Sequence, residues 1–279
     1  HTSRRQVSPP RFDLKGWNAA GAVTICGGVL LLGFLLPAGQ LTVWSWATYD
    51  EMVDASFLIL TWHSFELAAS ASLLALLLAL LLGYGKRIHN RPLTNLSVRV
   101  AGMGYAVPGT VIAVGVMLPF AGFDNTLDAW LRTNFGISSG LLLTGTLVAL
   151  LFSYLVRFLA VSLQTVEAGL GKISRSVDDA AYSLGYQPME VLGRVHLPMM
   201  RASLFTALLL VFVDVLKELP ATLILRPFNF NTLAVRTYEL ASDERLMDAS
   251  SAALAIVLVG ILPVILLSRN IRRLGAAGG

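Results

Sequence analysis

The sequence predicts an all-α, polytopic membrane protein with about six transmembrane helices. Of its 279 residues, 55% are hydrophobic and only 14% are charged, whereas a soluble domain carries about 25% charged residues. The apolar residues also fall into separated blocks, and a spanning helix needs about 20 such residues to cross a hydrocarbon core of about 30 Å. A bilayer is therefore the expected solvent of this chain.

Six apolar blocks are long enough to span a membrane. They cover residues 17–36, 65–84, 100–120, 141–163, 202–225 and 249–267. The third contains two glycines followed by Pro108 and Gly109, residues that a spanning helix tolerates and that often produce a kink beside a cavity. The fifth is interrupted by three charged residues and a proline, which sets it apart from the others.

Lysine and arginine are distributed unevenly between the two ends of these helices, and positively charged flanks stay in the cytoplasm. One side carries Arg4, Arg5, Arg11, Lys15, Lys86, Arg87, Arg91, Arg99, Lys172, Arg175, Arg194, Arg201, Arg269, Arg272 and Arg273. The other side has few basic residues, mixed with acidic ones. Both termini are therefore predicted to be cytoplasmic, which requires an even number of crossings. Because the positive charge follows the membrane flanks, no nucleic-acid partner is expected.

The chain divides into a short tail and one membrane domain. Residues 1–15 are polar and basic and contain Pro9 and Pro10, a composition typical of a linker or a cytoplasmic tail. Residues 16–275 form the predicted transmembrane domain. Within it, residues 164–201 make a cytoplasmic connection far longer than two neighbouring helices need, and loops of that length usually carry function.

This long connection is predicted to contain two short helices. The segment from Ser176 to Asp179 resembles a capping box and predicts the start of the first helix, and Gly185 follows where a glycine commonly ends one. Pro188 suits the first turn of a second helix, which Pro198 is expected to stop. The predicted product is a helix–glycine–helix elbow. The alternative is an amphipathic loop that lies on the lipid headgroups.

The elbow contains a pattern found in one family of transporters. Asp179-Ala180-Ala181 is followed by Gly185 and, after nine further residues, by Val195-His196-Leu197-Pro198. The pattern resembles the EAA loop of binding-protein-dependent ABC importer permeases with the type I fold, with Asp in place of the usual Glu and Val in place of the usual Ile. The resemblance implies a coupling helix that docks on a cytoplasmic ATPase and is formed by Asp179, Ala180, Ala181, Gly185, Val195, Leu197 and Pro198.

The resemblance also implies that ATP is hydrolysed by another chain. Gly169-Leu170-Gly171-Lys172 is followed by Ile173 and lacks the Ser or Thr and the upstream spacing of a phosphate-binding loop. The chain is therefore expected to be a transport subunit and not an enzyme. It is expected to bind no cofactor itself, while a partner ABC ATPase dimer binds ATP and Mg. The implied location is a bacterial inner membrane.

Three charged residues interrupt the fifth apolar block. Asp214, Lys217 and Glu218 are spaced i, i+3 and i+4, which places them on one face of a helix. Charges at membrane depth are costly unless they pair or face water. Two interpretations remain open. The residues form either a self-neutralised salt-bridge cluster that fixes helix packing, or a polar lining of the substrate path with one carboxylate left over.

The segment from Lys217 to Tyr238 resembles the corresponding region of ferric iron importer permeases, and a weaker resemblance extends over nearly the whole chain. It implies import of ferric iron that an external (periplasmic or extracellular) binding protein delivers. Carboxylate and phenolate oxygens suit this hard ion, although no firm metal site is expected, because a conducting site must also release its cargo. The residues expected along the translocation path are Asp214, Lys217, Glu218, Tyr238 and Glu239.

The histidines His63, His89 and His196 are isolated in the sequence and are expected at interfaces or in loops.

Ferric permeases often fuse two six-helix halves, and a chain that opens with His1 and a basic segment fits the second half, whether fused to its partner or paired as a homodimer. The alternatives are the same machine with a polyamine, sugar or anion as cargo, and an ion-coupled secondary transporter.

Overall fold

The computed structural model describes residues 13–89 and 91–276, with backbone alone for residues 262–264 and 266–276. All but the last three residues of the predicted tail at 1–15 lie outside this range. Within it the fold is all-α, as predicted, with no strand among the described residues. The helices of more than four residues are α1 (Trp17–Ala47), α2 (Ala55–Ile88), α3 (Pro92–Ala101), α4 (Gly109–Phe135), α5 (Leu147–Gly171), α6 (Arg175–Ser183), α7 (Pro188–Leu216), α8 (Pro220–Leu225), α9 (Leu233–Ser242) and α10 (Leu246–Ala276).

Five of these helices are long and apolar enough to cross a membrane, namely α1, α2, α4, α5 and α7. The sixth predicted block lies in α10, whose described apolar part, Leu246–Ile261, is shorter. Two of the helices contain a π turn, at Leu31–Leu35 in α1 and at Leu192–His196 in α7. The helices extend beyond most of the predicted blocks, because hydropathy marks only the stretch that lies in hydrocarbon.

The core is formed by α2, α5 and α7, which pack against one another. On α2 the buried positions are mostly small residues, including Ala68, Ala71, Ala75 and Ala79. Small side chains let helix backbones approach closely, which is how helices associate in membranes. Around this core, α4 packs on α5 and α8, and α10 packs on α9 and on the second half of α1. Every residue of Trp17–Leu30 in α1 is at least partly exposed.

The third predicted helix, 100–120, is wrong as a continuous element. α3 ends at Ala101, a short 3-10 turn follows at Gly104–Ala106, and α4 begins at Gly109. Pro108 disfavours helical geometry in the residue before it, and Val107 is extended, with ψ 134°. Gly104 also sits so close to α5 that a Cβ there would meet the carbonyl oxygen of Val156. The chain therefore breaks where it presses against its neighbour.

The fifth predicted helix, 202–225, is wrong at both ends. The observed helix, α7, begins at Pro188, because Pro198 does not stop the second short helix of the elbow as predicted. The π turn Leu192–His196 ends two residues before Pro198, and it contains Arg194, whose carbonyl would otherwise accept the amide hydrogen that proline lacks. The helix then ends at Leu216. Pro220 has no amide hydrogen to donate to the carbonyl of Leu216, and its ring would clash with that carbonyl if the helix continued. Residues 217–219 separate α7 from α8.

Candidate functional site

The elbow predicted from the sequence is present between α5 and α7. Its first arm is α6, and the chain reverses at Gly185, whose φ of +86° suits glycine and few other residues. The amide of Gly185 donates to the carbonyl of Tyr182, and the amide of Tyr186 donates to that of Ala181. These two bonds form a Schellman motif. The predicted role of Gly185 as the residue that ends the helix is confirmed.

The capping box predicted at Ser176–Asp179 is wrong. α6 begins earlier, at Arg175, and the hydroxyls of Ser174 and Ser176 contact each other at 2.7 Å. A capping box is found at the start of the second arm, where the side chains of Gln187 and Glu190 serve the first turn of α7. Pro188 occupies the first turn of that helix, as predicted.

The residues of the EAA-like pattern are divided between the outer surface of the elbow and its interior. Val195 and Leu197 are half-buried and Ala181 is buried, whereas the exposed members are Asp179, Ala180, Gly185 and Pro198. Two apolar side chains that the pattern does not include, Leu184 and Met189, are 78% and 72% exposed. Exposed apolar side chains beside a charged rim are typical of a docking surface.

A buried ionic cluster anchors the elbow to α2. Arg87, in the last turn of α2, donates through Nε to Asp178 of α6 over 2.8 Å, and the other carboxylate oxygen of Asp178 accepts a bond of 2.7 Å from Nε2 of His196. Burial raises the pKa of Asp178, but the hydrogen bonds from Arg87 and His196 outweigh it and hold this pKa below its usual value. His196 is fully buried between α2 and the elbow, in agreement with its expected place at an interface.

The sequence alone indicates Arg87 only as part of a positive flank, and it does not indicate Asp178 as a site residue. The two are 91 positions apart, and their neighbours in sequence contain no signal that pairs them. His196 lies inside the recognised pattern but is not among the residues that the resemblance assigns to the coupling helix. The one available signal is the position of Asp178 directly before the Asp179-Ala180-Ala181 triplet, and it does not indicate a partner.

The charged cluster predicted on one helical face is arranged differently. Because α7 ends at Leu216, Asp214 lies in its last turn, Lys217 follows its end, and Glu218 lies beyond it. Asp214 pairs with Lys217 at 2.9 Å, whereas Glu218 approaches Nη1 of Arg157 on α5 at 3.6 Å. The three residues therefore form two ion pairs rather than a single stripe.

The Arg157–Glu218 pair lies where two interrupted helices meet. A Cβ at Gly109, the first residue of α4, would lie 2.3 Å from Nη1 of Arg157 and 2.6 Å from Oε1 of Glu218. Glu218 also accepts a bond of 3.3 Å from the amide of Ala221 in α8. Nε and Nη1 of Arg157 have no hydrogen-bond acceptor among the described residues. Pairing with a neighbouring charge is the usual solution for ions at this depth.

The remaining residues predicted for the path, Tyr238 and Glu239, lie on α9. Glu239 pairs with Arg226 at 3.0 Å, and Tyr238 is half exposed. Each of the three predicted carboxylates thus has a basic partner. Among the described residues, no group of three His, Cys, Asp or Glu side chains is placed to hold a metal ion.

The family described as "Binding-protein-dependent transport system inner membrane component" matches residues 71–274. The "Fe(3+)-transport system permease protein FbpB 2" of Haemophilus influenzae is 28% identical over 207 residues, which are 74% of this chain and 38% of that protein. The "Putative 2-aminoethylphosphonate transport system permease protein PhnV" of Salmonella typhimurium is 26% identical over 170 residues, 61% of this chain and 58% of that protein. The chain therefore spans less than two thirds of the length of either relative.

Solved structures share the fold at low sequence identity. A bacterial alginate ABC transporter in complex with an alginate-bound periplasmic protein aligns with a TM-score of 0.67 and 14% identity, over 92% of this chain and 94% of the other. The MetNI methionine ABC transporter in an inward-facing conformation aligns with a TM-score of 0.59 and 15% identity, over 79% and 99%. Both are similar to this chain in the arrangement of their membrane helices.

Proposed function

The chain belongs to the family of binding-protein-dependent transport system inner membrane components, and from that premise we propose that it is the membrane-spanning permease subunit of an ATP-driven importer of ferric iron. The observation that carries the proposal is the elbow. It presents Asp179, Ala180 and Gly185 on an exposed surface, and a buried ionic cluster holds its inner side to the helix core. A protruding, firmly anchored elbow is suited to receive a push from a partner.

The proposed mechanism follows from the continuity of α7. A partner ABC ATPase dimer binds ATP and Mg, and its closure pushes on the elbow. Since α7 runs from the elbow to Leu216 without a full break, the displacement reaches the junction of α7 and α8. There it shifts the helices that meet at Arg157 and Glu218. Alternation between inward and outward access is then a domain motion between two packed states.

The proposed orientation places the elbow, both termini and the basic flanks in the cytoplasm. The opposite face then receives the external binding protein. It carries the acidic residues between α1 and α2, of which Asp54 caps α2 by accepting a bond from the amide of Phe57. A second permease half completes the path, and the partial coverage of the relatives fits either a fused half or a homodimer.

Ferric iron is the proposed cargo because the FbpB relatives are ferric permeases by description. Asp214, Lys217, Glu218, Tyr238 and Glu239 are the proposed path residues. Their carboxylates are held by basic side chains and are released to the cargo as the helices shift. The PhnV relatives favour a second candidate, in which the same machine carries an anionic phosphonate.

The test is uptake of radiolabelled ferric iron into vesicles that contain the full-length protein, its ATPase and its binding protein. We expect uptake that requires ATP and stops when the ATPase is omitted. Uptake of 2-aminoethylphosphonate in place of iron would support the ATP-driven importer and contradict iron as its cargo. Iron transport that persists without the ATPase would contradict the proposal and favour an ion-coupled secondary transporter.

A further inference from the structure

We propose that Arg87 is a positioning residue for energy coupling, because its guanidinium ties the ends of α2, α5 and α6 into one rigid unit that receives the ATPase stroke. The proposal rests on the proposed function, since it requires an ATPase that pushes on the elbow. It adds a transmission route that does not pass through α7 alone.

A single guanidinium joins three helix ends. Nε of Arg87 donates to Asp178 of α6, Nη1 donates over 2.6 Å to the carbonyl of Leu170 near the end of α5, and Nη2 donates over 3.0 Å to the carbonyl of Ile173 in the linker. The last carbonyls of a helix have no amide partner within it, and a cationic side chain satisfies them well. Arg87 therefore fixes the position of α6 relative to α5.

The second arm of the elbow is tied to the same region of α2. Asp178 reaches His196 in the π turn of α7. Tyr84, which lies three residues before Arg87 on α2, meets the His196 ring edge-on at 5.4 Å and donates its hydroxyl to the carbonyl of Pro188. Both arms are thus held by side chains from the last turns of α2, on either side of the turn at Gly185.

The contacts of Arg87 are better suited to transmitting a movement of the elbow than to stabilising the fold. A buried ion pair adds little net stability compared with apolar residues of similar size, but the planar fork of arginine fixes direction as well as distance. Without the fork, a push on Leu184 or Met189 would displace α6 relative to α5 and would not reach the core. With it, the push moves α2 and α5, which form the core together with α7.

The test compares Arg87→Gln and Arg87→Lys with Lys86→Gln as a matched control. Lys86 is the neighbouring residue on α2 and pairs at 2.6 Å with Glu167 of α5, a partly exposed pair outside the elbow. The first measurement is iron uptake per ATP hydrolysed by the full importer in vesicles. The second is hydrogen–deuterium exchange of residues 175–199 in the same protein without its ATPase.

For Arg87→Gln we expect ATP hydrolysis to continue while uptake per ATP falls about tenfold, a size typical of coupling between sites. Exchange of residues 175–199 should become faster. Arg87→Lys should fall between Arg87→Gln and the wild type, because it keeps the charge and loses the fork, and it serves if Arg87→Gln does not fold. Lys86→Gln should match the wild type in both measurements.

Three results would overturn the proposal: unchanged uptake per ATP in a folded Arg87 variant, an equal loss in Lys86→Gln, or loss of ATPase binding in place of uncoupling. If the wild type itself shows no ATP-driven uptake, the proposed function fails and the coupling role fails with it. In that case the exchange measurement still reports whether Arg87 holds the elbow. If the wild type transports iron and a folded Arg87 variant transports as much iron per ATP, the coupling role of Arg87 is contradicted and the proposed function is not.

Discussion

At the scale of single residues, Gly109 determines how closely α4 approaches the Arg157–Glu218 pair. A methyl group there would overlap Nη1 of Arg157 and Oε1 of Glu218, at 2.3 and 2.6 Å. We expect Gly109→Ala to destabilise the protein by about 1–3 kcal/mol, the usual cost of overpacking. Gly115→Ala, at an open position of the same helix, should have little effect. Thermal unfolding in detergent measures both, and equal midpoints would contradict the observed packing.

Asp178 predicts a specific dependence of stability on pH. Its pKa in the folded protein is lowered, so its ionised form contributes stability that is fully present above the unfolded value of about 4 and is lost as the pH falls through the folded pKa. Asp178→Asn should therefore destabilise the protein by about 1–3 kcal/mol at neutral pH, because the side chain of Arg87, which is 11% exposed, loses its counter-charge.

The measurement for this variant is the difference in thermal midpoint from the wild type between pH 7 and pH 3. The difference should stay constant down to about pH 5 and narrow below about pH 4, where the wild-type carboxylate becomes protonated. A difference that changes with pH near 7 would mean that another group is responsible.

At the scale of elements, the elbow depends on one left-handed residue. A side chain at φ +86° costs about 1–2 kcal/mol, so Gly185→Ala should loosen the turn between α6 and α7. Gly193→Ala is the control, since Gly193 is exposed, lies in the π turn of the same elbow and has open space around its Cα. Faster hydrogen exchange at residues 182–188 in the first variant alone is the expected result. Equal exchange in the two variants would mean that the strain at Gly185 is relieved elsewhere.

Apolar blocks predicted where the helices lie, but they did not predict where helices break. Prolines are tolerated in spanning helices when neighbours satisfy the freed groups, so the sequence does not reveal which proline interrupts a helix. Pro108 follows a 3-10 turn that packs against α5, and Pro220 begins α8, which also packs against α5. Pro198 does not interrupt a helix, because a π turn precedes it. The local sequence is similar in kind, and the tertiary environment decides the outcome.

At the scale of the whole molecule, the elbow and the junction of broken helices are the two ends of one helix, α7. The pattern of Asp179, Ala180, Ala181 and Gly185 located the first end from sequence. The second was located only in part, because the partner of Glu218 is Arg157, on another helix. The contacts by which Arg87 anchors the elbow could not be predicted from the sequence for the same reason, because Asp178 lies on another helix. Contacts between distant segments depend on packing, which spacing along the chain does not encode.

The central claim is that the exposed surface of the elbow docks on an ATPase. The most direct measurement places a photo-crosslinking residue at Leu184, which is 78% exposed, in the full-length protein with its ATPase. Trp46, which is 86% exposed near the end of α1, is the control position. We expect a covalent adduct with the ATPase from position 184 and none from position 46. Adducts from position 184 with lipid alone would contradict it and would show that the elbow lies on the headgroups.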